Sequence, residues 1–192
     1  MNEYDFYIRI LAPHLRCKNQ DILVEKKNNR SHTTTIIPGS IAHALYRYDM
    51  DEEKRLFMPF FNKTHNREQN QGAIATPTGL LRFCDYIILA NKKDKLFVIL
   101  VEMKSGGNAD AVKQLEATER FMEYIRLSAE RIKDENGCEN FSYRNFHVKK
   151  VILKPSIASK PGTNKVKSFP IDWNEDLIYL PSNTLPLMQL CL

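Results

Sequence analysis

Two acids and one lysine are set apart by where they fall. Asp85 lies near the start of the apolar run Cys84-Asp85-Tyr86-Ile87-Ile88-Leu89-Ala90, and Glu102 and Lys104 close the run that begins at Leu96. Glutamate and lysine are rarely buried in full unless paired. Ending the most hydrophobic segment of the chain on both costs free energy that a purely structural sequence avoids. Two positions apart on a strand, Glu102 and Lys104 leave the backbone on one face. A second carboxylate brought beside Glu102 would repel it unless a proton or a cation sat between them. With a lysine one step further along, the chemistry these residue types suit is a divalent cation on oxygen ligands beside an amine.

The elements that must position them are legible nearby. The stretch Leu96–Val101 is short, apolar and β-branched, which fits a strand buried on both faces. Asn91–Lys95 is a polar turn after the Cys84–Ala90 strand, so the pair reads as an antiparallel hairpin. If Asn91 faces Leu96 across a loop of Lys92 to Lys95, then Leu89 opposes Val98, Ile87 opposes Leu100, and Asp85 opposes Glu102. Opposed residues share a face with Cβ atoms about 5 Å apart, and a slip of one residue would send Asp85 to the other side. After the hairpin, Ser105-Gly106-Gly107 turns the backbone out of the sheet and Asn108 suits an N-cap. Ala111, Leu115, Thr118, Met122, Ile125, Ala129 and Ile132 then recur at spacings of four and three, predicting a helix to about Lys133. Gln114 sits early in it, beside the apolar stripe, and is expected to point back toward the end of the Glu102 strand.

Asp85, then Glu102-Met103-Lys104 at the end of the next strand, then a helix carrying Gln114, resembles the PD-(D/E)xK, or restriction-endonuclease-like, nuclease superfamily. The resemblance spans roughly Leu80 to Lys154. It implies an α/β fold: a mixed central β-sheet with flanking helices and an αβββαβ core. In such proteins the acids corresponding to Asp85 and Glu102, with the backbone carbonyl at Met103, hold Mg2+ or Mn2+. The lysine corresponding to Lys104 orients or helps deprotonate the attacking water, and Gln114 would support water or substrate. Cys84 stands where the nominal motif has proline. Of the acids that could supply the superfamily's additional early carboxylate, Glu3 and Glu25 are the candidates. The implied activity is metal-dependent hydrolysis of phosphodiester bonds in nucleic acid, chiefly DNA, in settings such as bacterial defence or DNA repair. The alternative is a catalytically silent relative serving as a nucleic-acid-binding or protein-interaction subunit. No specificity module is recognisable, so a homodimer or a partner subunit is among the expectations.

Composition bounds this reading. At 192 residues with 43% hydrophobic and 27% charged side chains, the chain is expected to form one domain. Its core is placed at about 80–154, with an N-terminal elaboration over 1–79 and a C-terminal strand and tail over 168–192. No apolar run reaches membrane-spanning length, and the start lacks a secretory signal's basic and apolar regions. Cys17, Cys84, Cys138 and Cys191 are scattered and read as free thiols in a cytoplasmic protein. A net charge of +5 and a pI near 9.0 permit a polyanionic partner. There is no Walker loop and no nucleophile elbow, and the five histidines show no metal-ligand spacing.

Along the rest of the chain, Glu3–Leu11 predicts a short helix, Asp21–Lys26 and Thr33–Ile37 predict strands around a polar turn, and Ile41–Tyr48 fits either a strand or a helix face. Asp49–Arg55 is a charged connection and Leu56–Phe61 an irregular apolar segment. Asn62–Thr78 reads as a loop leading into Asp85. Asp134–Gly137 predicts a turn, His147–Leu153 and Asp176–Leu180 predict strands, and 154–167 a basic loop. The lysines at 26, 27, 92, 93, 95, 149, 150, 160, 165 and 167 would track phosphates only if they converged beside the site.

Overall fold

The computed structural model describes residues 2–27, 30–47, 83–104, 109–133, 135, 147–154, 171–181 and 183–192. In chain order its elements are α1 (Glu3–Ile10), a 3-10 turn (Pro13–Leu15), β1 (Ile22–Lys27), β2 (Arg30–Ile37), β3 (Ala42–Tyr46), β4 (Tyr86–Lys92), β5 (Lys95–Met103), α2 (Ala109–Ile132), β6 (His147–Leu153), β7 (Leu177–Leu180), β8 (Thr184–Pro186) and α3 (Leu187–Leu190). The expected connection at 49–55, apolar segment at 56–61, loop at 62–78, glycine turn with its Asn108 cap, and most of the turn at 134–137 and of the basic loop lie outside the described residues.

The architecture is mixed α/β. Five strands form the main sheet in the order β3-β4-β5-β6-β7. The β3-β4-β5 meander is antiparallel, whereas β5, β6 and β7 run parallel. Parallel neighbours need a crossover, and α2 lies between β5 and β6 in the chain. Every described residue of β5 from Leu96 to Met103 is buried, as are Tyr86–Ala90 of β4, which is why both strands read as unbroken apolar runs rather than alternating ones.

Alternation along these strands divides the core in two. Ile87, Leu89, Val98, Leu100 and Ile152 face α1 and α2, packing on Phe6, Tyr7, Leu115 and Met122. Ile88, Ile99, Val101 and Val151 face the other way, onto Leu23, Ile36, Leu185 and Leu187. That second layer is a three-stranded sheet, β1-β2-β8, in which β8 pairs parallel to β2. The Tyr86 hydroxyl joins the two sheets, accepting from Val24 N–H at 2.8 Å and donating to Val24 C=O at 2.9 Å.

Several boundaries differ from the sequence expectation. The ladder of the central hairpin continues to Lys92 opposite Lys95. The loop is therefore two residues, Lys93 and Asp94, both with positive φ (49° and 60°), as a type I′ turn requires. The register is the expected one, with Asn91 opposite Leu96, Leu89 opposite Val98, and Ile87 opposite Leu100. β2 begins at Arg30 rather than Thr33, because pairing with β1 carries polar residues into the ladder. Residues 41–48 resolve as the strand β3, whose Leu45 and Tyr46 are buried. The C-terminal segment, expected as an apolar tail, supplies β8 and α3. No described helix is long and apolar enough to cross a membrane.

Candidate active site

β5 delivers Glu102 to the α2 side of the sheet, the face of Val98 and Leu100. The strand ends one residue later, yet the parallel ladder continues through Lys104, whose N–H donates to Leu153 C=O at 2.8 Å. Across the hairpin the chain bends at Asp85 before β4 begins. There the two acids take over the pairing that the backbone gives up. Asp85 N–H donates to Glu102 Oε2 at 3.0 Å, and Met103 N–H donates to Asp85 Oδ2 at 2.8 Å. The side chains thus bind each other's strand reciprocally, which sets the two carboxylates together at the rim of the hairpin.

Lys104 completes the cluster. Its Nζ lies 2.6 Å from Glu102 Oε1 and donates to Gln114 Oε1 at 3.0 Å. Gln114 in turn donates through Nε2 to Phe83 C=O at 3.3 Å, so the helix residue bridges the lysine and the strand leading into Asp85. One turn on, Thr118 is fully buried; its hydroxyl accepts from Cys84 N–H and donates to Gln114 C=O, both at 2.8 Å. Asp85, Glu102, Met103, Lys104 and Gln114 are therefore all brought together. Thr118 appears in the sequence only as a polar member of an apolar stripe, and that break in the stripe is the one signal that could have marked it.

The electrostatics are strained. Glu102 is 1% exposed. Burial, reinforced by repulsion from Asp85, pushes its carboxyl up to about 7 against the pull of Lys104. Burial also raises Asp85, partly offset by the Met103 N–H and by the charges of Lys104 and Arg47. A single lysine cannot neutralise two buried carboxylates, so the pair retains affinity for a proton or another cation. Beside them, burial lifts the Cys84 thiol to about 12, and this residue serves packing.

The donor set suits a hard divalent cation: two carboxylates and the Met103 carbonyl are oxygen ligands of the kind magnesium takes while keeping several waters. Among the described residues, no three of His, Cys, Asp and Glu gather into a metal-holding group. Glu25 does not extend the set, since β1 belongs to the small sheet on the opposite face. Glu3 starts α1, where burial raises its carboxyl. The lysines expected to converge do not. Lys92 Nζ donates to the carbonyls of Met188 and Cys191, Lys149 Nζ to those of Trp173, Asn174 and Glu175, and Lys150 pairs with Glu119 at 3.0 Å. They hold loops and helices in place. Cys17, Cys84 and Cys191 are free thiols.

No family model, no curated protein and no solved structure matches this chain.

Proposed function

We propose that the chain is a metal-dependent nuclease of the PD-(D/E)xK kind, hydrolysing phosphodiester bonds in nucleic acid and most readily in DNA. One observation carries the reading: Asp85, Glu102 and Lys104 meet at the end of β5, with Gln114 of α2 bonded to the lysine. The order α1, β3, β4, β5, α2, β6, with β6 parallel to β5, supports it, because that is the αβββαβ arrangement the resemblance implies.

Asp85, Glu102 and the Met103 carbonyl would hold Mg2+ or Mn2+. The ion, when bound, supplies positive charge to a phosphoryl oxygen and lowers the pKa of a coordinated water. Lys104, aimed by Gln114, holds the attacking water in line and offsets the negative charge that develops as it attacks. Placing these charges in a largely desolvated rim strengthens them and removes the need to reorganise during the reaction. The Lys104–Glu102 pair at 2.6 Å favours a second reading, a catalytically silent nucleic-acid-binding or protein-interaction subunit in which that pair is a structural clamp.

Cleavage of labelled single- and double-stranded DNA and of RNA, with Mg2+, Mn2+ or chelator, separates the two. The nuclease reading expects metal-dependent cutting by the wild type that is lost in Glu102→Ala and Lys104→Ala. Equal residual cutting in all three proteins would refute it.

A further inference from the structure

We propose that Arg47 is a substrate-binding residue of this same site, gripping a backbone phosphate of the nucleic acid at its Asp85 end. The inference rests on the nuclease reading above and adds a contact to it.

Pairing of β3 with β4 places Tyr46 opposite Ile87, so the next residue, Arg47, comes level with Tyr86, the neighbour of Asp85. Its backbone is pinned there, since Arg47 N–H donates to Leu15 C=O at 2.9 Å. The guanidinium lies 5.6 Å from the centroid of the Tyr86 ring. That ring is itself a fixed platform, because its hydroxyl is held by both polar groups of Val24. An arginine lying over an aromatic ring keeps its N–H edge open, and that edge matches two oxygens of a phosphate. Among the described residues, no carboxylate lies within ion-pair distance of Arg47 and no acceptor meets its side-chain donors. Lys92, Lys149, Lys150 and Lys104 differ in this respect, each being committed to a carbonyl or a carboxylate. The charge of Arg47 is also felt at Asp85, whose carboxyl it lowers. A cation with spare donors beside a buried acid pair is placed to offset an incoming phosphodiester's charge.

The test uses the full chain with fluorescein-labelled single- and double-stranded DNA and RNA oligonucleotides. Binding is read by anisotropy over a range of salt, with Ca2+ as an oxygen-ligated divalent ion, and cleavage is read separately with Mg2+ or Mn2+. Arg47→Met keeps the packing over Tyr86 but removes the charge, and Arg47→Lys keeps the charge but not the paired donors. Arg47→Met is expected to bind about tenfold more weakly. Its slope of log affinity against log salt should fall by about one, as for one lost phosphate contact. Arg47→Lys should recover the slope and only part of the affinity. Wild-type affinity and salt slope in Arg47→Met, with cleavage by the wild type intact, would overturn the Arg47 assignment and leave the nuclease reading standing. Should Arg47→Met not fold, wild-type affinity in Arg47→Lys would overturn it. A wild type that neither binds nor cuts any of the oligonucleotides would overturn both.

Discussion

Replacing Glu102 by glutamine tests the electrostatics of the site through stability alone. The carboxyl rises from its ordinary value of 4.5 to about 7 in the folded chain, so the folded state binds a proton more tightly than the unfolded one. That proton's contribution to stability is fully present below about pH 4.5, is lost as pH rises to about 7, and changes no further above it. At about 1.4 kcal/mol for each tenfold difference in proton affinity, the loss is on the order of 3 kcal/mol. Glutamine cannot titrate, and its single oxygen can satisfy only one of the two donors now facing Glu102, the Asp85 N–H and Lys104 Nζ. The unmet hydrogen bond costs about 1–3 kcal/mol, but it does so equally at every pH. The difference in slope between the two proteins therefore isolates the titration. Urea denaturation in chelator at pH 5 and pH 8 should show the wild type losing about 3 kcal/mol more than Glu102→Gln over this interval. Parallel profiles would refute the claim that Glu102 is held against its charge.

Three further outcomes are expected. Lys104→Met should lower the cleavage rate by a factor of about 10² or more, as loss of a positioned charge at the reacting group does, in a gel assay with Mn2+. Thr118→Val should cost about 1–3 kcal/mol in urea denaturation by leaving the buried Cys84 N–H without its acceptor, and Thr118→Ser should regain most of it. Tyr86→Phe removes the hydroxyl that serves both polar groups of Val24. A loss of about 1–3 kcal/mol is expected in the same assay, with the Asp85–Glu102 cluster left in place.

The parts of the fold that could be read ahead of the coordinates are those where one periodicity dominates. The β4–β5 register follows from matching two apolar runs across one short polar turn, and α2 follows from a stripe seven members long. His147–Leu153 is a strand with the bounds its composition suggests. Illegibility begins where pairing partners are far apart. Nothing local in Thr184–Pro186 announces a strand; its partner β2 lies about 150 positions earlier, and long-range pairing overrides weak local preference. The site divides in the same way. Asp85, Glu102 and Lys104 stand out because charge at the end of an apolar run is costly. Arg47 does not, since an arginine at a strand end is ordinary until a ring appears beneath it. The reciprocal bonds between the acids and each other's backbone also escaped the sequence, because the bend at Asp85 replaces regular pairing with side-chain contacts.

The late addition of β8 has a kinetic consequence. The β1–β2 and β4–β5 hairpins close over a few residues and can form within microseconds, whereas docking β8 closes a loop of nearly the whole molecule. Until it docks, β2 presents an open hydrogen-bonding edge, with Ile37 at its end and Ile36 still awaiting cover. Such an edge invites association with other unfinished chains. Refolding yield should therefore fall with protein concentration, and substitutions in Thr184–Pro186 should aggravate that dependence far more than they alter the finished candidate site.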